Sequence, residues 1–447
     1  MGEGDYVLSD MRKPQSCAEG PRECGSLHYV YGSDTGRTGN LALLDEKTAI
    51  YTVGNAVVLE NVFDNHKEYI MGIDECGVGC VGVHPSKKMF AVGGKGAKPN
   101  IYIYSYPEKR ILKVLKGEAE RGYASLDFNH AGTKLASVAT APDYMLTVWD
   151  WEQERVMLHT KAFGQDVFSV AFSVDDDNRL TTSGTGHIRF WKIASTFTGL
   201  KLQGKIGKFG KVDLSDISAY VELPDGKVIS GSETGSLLLW EGGFIKCRFT
   251  RADGGRCHEG DITYCYLDRS EKVVITGGSD GYLRFWPFET IDTAEVDADI
   301  SMDFVLEPKA ELFLGDGCGV KTIVDSGPLD GHRRFLVIVD GRGNQRLLNM
   351  NLESTEGKLV DAINTAKGED GLGNVLAALG DKTLKVFHSG SVTAVDACPV
   401  SHLSASCGAD GVVNVWDYVK RSRVCSRTFD SGATTLKWAP RHMDSTG

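Results

Sequence analysis

One pattern recurs along this chain: a turn, a short alternating run of apolar residues, and a closing tryptophan. It reads Asp143-Tyr-Met-Leu-Thr-Val-Trp-Asp150, Thr185-Gly-His-Ile-Arg-Phe-Trp-Lys192, Thr234-Gly-Ser-Leu-Leu-Leu-Trp-Glu241, Asp280-Gly-Tyr-Leu-Arg-Phe-Trp-Pro287 and Asp410-Gly-Val-Val-Asn-Val-Trp-Asp417. The tryptophans at 149, 191, 240 and 286 are 42, 49 and 46 residues apart. A unit this small cannot bury its own apolar faces, so copies must pack on one another, and the fold is a repeat array of short strands. Composition agrees: 53 glycines against 12 prolines supply the tight turns such strands need.

Weaker copies extend the series. Pro99-Asn-Ile-Tyr-Ile-Tyr-Ser-Tyr106 places Tyr104 where the others carry tryptophan, and Gly54-Asn-Ala-Val-Val-Leu59 lies one period earlier. Gly343-Asn-Gln-Arg-Leu-Leu348 follows Trp286 across an insertion. Two copies carry more. His258 and His388 each precede a tryptophan, Trp286 and Trp416, by 28 residues; Asp280 and Asp410 lie six before it, and Thr276 and Ser406 ten before it. These residues resemble the buried Trp-Ser/Thr-His-Asp network of WD40 repeats, in which polar side chains satisfy one another and hold neighbouring strands in register. The other copies retain fragments at those spacings, Asp143 without a hydroxyl and Thr181 and Ser230 without an aspartate, so packing alone is expected to hold them.

The expected fold is therefore an all-β WD40 propeller, seven-bladed, with eight blades as the alternative. The ring is expected over residues 25–375 after a disordered segment 1–24. Residues 376–447 then hold further WD40 repeats that begin a second, incomplete propeller. A ninth copy opens at Ser431-Gly-Ala-Thr-Thr-Leu-Lys-Trp438, and its later strands are not in the sequence.

Several chemistries find no support. Sixty acidic against 49 basic residues leave a net charge of −11, the opposite of a nucleic-acid-binding footprint. The longest aliphatic or aromatic run, Phe335 to Val339, is far below the ~20 residues of a membrane helix. Residues 1–10 lack the apolar core of a secretory signal, and the 11 scattered cysteines read as free thiols. Gly77-Val-Gly-Cys-Val-Gly82 matches G-x-G-x-x-G, but His84-Pro85 follow where a dinucleotide site needs a helix. Neither Cys76 with Cys80 nor Cys247, Cys257 and Cys265 with His258 has zinc-site spacing. No nucleophile elbow, phosphate loop or catalytic constellation is found, so no enzyme, cofactor or metal is expected.

Two charged stretches remain. Lys201, Lys205, Lys208 and Lys211 lie in a glycine-interrupted segment expected to be a loop between blades, either solvated or a docking surface for an acidic partner. Asp292, Glu295, Asp297, Asp299, Asp303 and Glu307 precede the next base, Lys309, and are expected to form an exposed acidic loop in the enlarged segment between blades, either solvating or a contact.

Outside the repeat consensus, further strings carry a narrower resemblance. They are Leu41-Ala-Leu-Leu-Asp45, Val83-His-Pro-Ser-Lys-Lys88, Lys98-Pro-Asn-Ile-Tyr-Ile-Tyr104, Thr160-Lys-Ala-Phe163 and Leu223-Pro-Asp-Gly-Lys-Val-Ile-Ser-Gly231. Leu239-Trp-Glu-Gly-Gly-Phe-Ile-Lys246, Phe288-Glu-Thr-Ile-Asp-Thr-Ala294 and above all Thr196-Phe-Thr-Gly-Leu-Lys-Leu-Gln-Gly204 complete the set. Together they resemble the axonemal WD40-repeat family of cilia- and flagella-associated proteins. The resemblance implies a non-catalytic scaffold in the cytoskeleton of motile cilia and flagella. It implies partners in the related cilia- and flagella-associated protein 43, inner-arm dynein and the doublet microtubule, within a tether and tether-head assembly. A generic cytosolic WD40 adaptor and a propeller that binds microtubules directly remain the alternatives.

Overall fold

A computed structural model describes residues 38–349, except 63–65, 74–76, 198, 298–300, 316, 327–333 and 342–344. Beyond these it describes 383–385, 392–399, 401–409, 411–420 and 422–439. The segment 1–24 lies outside the described residues, as does the expected ring boundary at 375/376.

The described residues form eight sheets of mainly antiparallel strands, six of them built from strands consecutive in sequence. Sheets 1 to 4 span 42–71, 78–115, 123–161 and 167–206. Sheet 5 spans 217–250 and adds the later strand 303–305, while sheet 6 spans 262–287 and closes with 310–313 beyond it. Sheet 7 spans 320–349 with 383–385, and sheet 8 spans 392–428. The repeat thus maps onto sheets, with each repeat tryptophan on the third strand of its own sheet.

Many of these strands are buried on both faces, and alternation divides their side chains between two neighbours. In Thr48–Val53, Ile50 joins a core shared by sheets 1 and 2, whereas Ala49 and Tyr51 join one shared with sheet 7. That last core pairs Leu41, Tyr51 and Val58 of sheet 1 with Phe335, Val337 and Val339 of sheet 7. The Gly39 N–H also reaches Thr322 Oγ1 at 3.0 Å. Equivalent cores join every consecutive pair from sheet 1 to sheet 7. In sheet 8, Ala405, Cys407 and Trp416 are buried. Trp438 lies over this sheet, its indole N–H donating to the Asp396 carbonyl at 3.0 Å.

The G-x-G-x-x-G match lies on the innermost strand of sheet 2, Val78–Val83, and opens no helix. Its glycines answer a packing need: a Cβ on Gly79 would overlap the Tyr123 carbonyl of sheet 3.

The acidic segment departs from expectation. It forms a short helix, Phe288–Asp292, and a strand, Asp303–Val305, that adds in parallel to the outer strand of sheet 5. Ile291, Ala294 and Leu306 are buried in the core between sheets 5 and 6. Its acids are largely paired: Asp292 with Lys227 at 2.9 Å, Glu295 with Lys246 at 3.6 Å, Asp303 with Arg248 at 2.6 Å and Glu307 with Arg251 at 3.3 Å. The apolar residues interleaved with the acids are what draw the segment onto the sheet. Asp299 lies outside the described residues.

Candidate functional site: a locked sheet and a basic edge

In sheet 6 the four expected residues meet. Trp286 Nε1–H donates to Thr276 Oγ1 at 2.8 Å, and His258 Nε2 lies 2.7 Å from the same oxygen. His258 Nδ1 lies 3.0 Å from Asp280 Oδ1, and the Asp280 carboxylate accepts the backbone N–H groups of Glu259 and Tyr282, both at 3.1 Å. Sequence reasoning missed Arg284. Its guanidinium donates to Asp280 Oδ2 at 2.7 Å and to Glu311 at 2.8 Å, and Glu311 also receives Arg251 at 2.7 Å. The signal was available, since Arg284 follows Asp280 by four residues on a strand buried elsewhere. Burial alone would raise the Asp280 carboxyl; His258 and Arg284 outweigh it and hold it far below the usual carboxylate range. Burial lowers His258, and Asp280 only partly offsets this. Every member is committed to another, so this is a structural lock.

In sheet 8, Trp416 Nε1–H donates to Ser406 Oγ at 2.8 Å; His388 and Asp410 lie outside the described residues. The expectation that the remaining copies rely on packing alone is corrected. Trp149 donates to Ser137 at 2.8 Å, Trp191 to Thr182 at 2.9 Å and Trp240 to Ser230 at 2.8 Å. In each case the hydroxyl sits two residues beyond the tryptophan's cross-strand partner: Leu135, Leu180 and Val228. Register is constant while the turn between the strands varies in length, so a fixed spacing from tryptophan missed Ser137 and selected Thr181 over Thr182.

The thiols of Cys247, Cys257 and Cys265 are buried between sheets 5 and 6, and burial pushes each up to about 12. Such thiols are protonated at neutral pH and behave as small apolar side chains.

The four lysines do not all lie in a loop: two stand on a strand, and Lys208 and Lys211 lie in the connection that follows it. Lys201 and Lys205 lie on Gly199–Ile206, the outermost strand of sheet 4, paired with His187–Thr196 in the longest hairpin among the described residues. The strand tolerates glycine because Gly204 lies against Trp191, where a Cβ would clash. Lys205 and Lys208 converge over the Phe244 ring of sheet 5, with Nζ 4.9 and 5.2 Å from its centre. Lys208 N–H is tied to the Gly243 carbonyl at 3.0 Å. Lys211 follows in a turn, and all four side chains are exposed. Phe197, at the hairpin tip, is fully exposed. The result is a protruding basic edge with aromatic neighbours on a chain that is acidic overall.

The family model of the echinoderm microtubule-associated protein first beta-propeller matches residues 75–306, and that of the WD domain, G-beta repeat, matches 381–417. The chain is 41% identical over 418 residues to cilia- and flagella-associated protein 44 of Mus musculus, covering 94% of this chain and 21% of that one. It is 42% identical over 400 residues to the Chlamydomonas reinhardtii protein of the same name, covering 88% and 21%. The chain thus spans about a fifth of the length of these relatives. Mouse echinoderm microtubule-associated protein-like 4 is 28% identical over 319 residues, 66% of this chain and 32% of that one. Among solved structures, the Cps50 (Swd1) β-propeller domain from Myceliophteria thermophila superposes with a TM-score of 0.50 at 13% identity, covering 76% of this chain and 96% of that one. The likeness supports the fold alone. The chain belongs to the echinoderm microtubule-associated protein first β-propeller family, with WD repeats, and is homologous to the cilia- and flagella-associated proteins 44.

Proposed function

We propose that this cilia- and flagella-associated WD-repeat chain is a non-catalytic axonemal scaffold. In this reading it forms part of a tether and tether-head assembly that links inner-arm dynein motor domains to the doublet microtubule, beside cilia- and flagella-associated protein 43. The observation that carries it is the 41–42% identity with cilia- and flagella-associated protein 44 across about nine-tenths of the chain. Sheets 1 to 7 serve as one seven-bladed ring, a reading supported by the core that sheet 1 shares with sheet 7, and sheet 8 opens a second propeller. Lys201, Lys205, Lys208 and Lys211 are the docking surface for an acidic partner.

The test is localisation in a flagellated cell. The tagged protein should reach the motile axoneme and resist detergent extraction, and gene deletion should alter beat waveform more than flagellar length. Reversing the four lysine charges should weaken retention in a salt-sensitive way without unfolding the chain. A protein diffuse in the cytoplasm, or a deletion strain that swims normally, would overturn the reading. The match to the microtubule-associated propeller family favours a second reading, direct binding to microtubules, which cosedimentation with bare microtubules distinguishes.

A further inference from the structure

The outer strand of sheet 4 ends its sheet: among the described residues no strand pairs with its far edge. The Gly207 N–H donates to the Ile188 carbonyl at 2.8 Å, and the ladder from Arg189↔Ile206 to Thr196↔Gly199 runs without a bulge. Hydrogen-bonded pairs alternate along an antiparallel ladder. Residues 201, 203 and 205 therefore spend their backbone groups on the partner strand, while Leu200, Leu202, Gly204 and Ile206 direct theirs outward. Side chains divide the same way. Leu202 packs into the core between sheets 3 and 4, whereas Lys205 lies on the flank towards sheet 5, over Phe244. A row of free backbone donors and acceptors is thus flanked by Lys201, Lys205 and Lys208, none of which has an ion-pair partner among the described residues.

The neighbouring sheet shows what such an edge takes. On sheet 5 the outer strand pairs with Asp303–Val305 in the register Arg248↔Asp303, Phe249↔Phe304 and Thr250↔Val305. Arg248, Arg251 and Lys246 pair with Asp303, Glu307 and Glu295. The chain fills one basic edge with its own acidic strand and, among the described residues, leaves the next, longer basic edge open. Lysine on an open edge disfavours pairing with an apolar strand and leaves an acidic one as the complementary occupant.

We propose that the Gly199–Ile206 edge binds an extended acidic segment of a partner protein by strand addition, with carboxylates meeting Lys201, Lys205 and Lys208. The inference rests on the docking role of these lysines and specifies its chemistry: main-chain pairing supplies affinity, and alternating acidic side chains supply choice.

The test uses the full chain and a fluorescent peptide of alternating Glu and Val, with a Lys and Val peptide as control. The acidic peptide should bind and the basic one should not. Lys201→Glu with Lys205→Glu should weaken binding roughly tenfold, as expected for two exposed charge contacts of somewhat under 1 kcal/mol each. Ile206→Pro removes one outward N–H, spares the internal ladder and should weaken binding as well. Should that variant fold poorly, hydrogen exchange on the unmodified chain gives the same information: the amides of residues 200, 202 and 206 should gain protection on adding the acidic peptide. Equal binding of both peptides, or no protection of those amides, overturns the proposal. If charge reversal releases the protein from axonemes while the edge amides stay unprotected, docking stands and strand addition falls. If the amides are protected and the tagged protein is nonetheless diffuse in cells, strand addition stands and the axonemal reading falls.

Discussion

Arg284 and Asp280 form an ion pair with N···O 2.7 Å, four residues apart, with both side chains almost wholly closed to solvent. Because Asp280 also faces His258 and two backbone N–H groups, its loss would strand the buried Arg284 guanidinium and His258 ring and release those N–H groups as well. Asp280→Ala is expected to destabilise the chain by about 3–5 kcal/mol, the cost of breaking a buried pair from one side. Arg284→Met with Asp280→Leu should cost less than the two single changes summed. Denaturation midpoints of the singles and the double give the coupling, and additive values would show that Arg284 is not part of the lock.

The constant register of tryptophan and hydroxyl gives a second test. Thr181 and Thr182 are adjacent and both buried, but only Thr182 receives the Trp191 indole N–H. Thr182→Val keeps the shape, leaves that N–H unpaired and should cost about 1–3 kcal/mol. Thr181→Val should cost clearly less. Thermal melting followed by tryptophan fluorescence compares them, and equal losses would contradict the register rule.

This contrast also explains what was legible in the sequence. Strands, repeat and the sheet 6 lock follow from alternation and from spacings that repeat when turns are equal. Ser137 and Thr182 were obscured because turns in sheets 3 and 4 differ in length, and only three-dimensional register restores the match. Lys201 and Lys205 were read as loop because glycine is a poor strand former in isolation; contact with Trp191 overrides that preference at Gly204. The acidic segment was misplaced because charge dominated its composition, while Ile291 and Leu306 decided its position.

From that last point a third prediction follows for the segment over sheet 5. Ile291 and Leu306 are buried, whereas the Glu295 and Asp303 carboxylates are partly to largely exposed. Ile291→Ala or Leu306→Ala should each cost about 2–5 kcal/mol by leaving a cavity. Asp303→Asn or Glu295→Gln should cost less than about 1 kcal/mol and lose that effect in high salt. Melting at low and high ionic strength separates the two groups, and large losses from the charge variants would reverse the assignment.

Asp127 offers a test through pH. Its Oδ2 accepts the Phe172 N–H across the boundary between sheets 3 and 4 at 2.6 Å. Part of the residue remains exposed, but desolvation of the carboxylate outweighs its backbone hydrogen bonds and pushes it up to about 7 from an ordinary 3.8. Between those two values the folded chain holds a proton that the unfolded chain has released. Folding therefore takes up protons, and this group's contribution to stability falls as pH rises through the window. Asp127→Asn keeps an oxygen to accept the Phe172 N–H and removes the ionisation. The stability of the parent chain relative to Asp127→Asn should accordingly decline from about pH 4 to about pH 7 and level off above it. Urea midpoints of both proteins across this range supply the difference, which cancels the titration of groups they share. Parallel curves would mean that Asp127 ionises normally in the fold, and that water reaches the boundary between sheets 3 and 4.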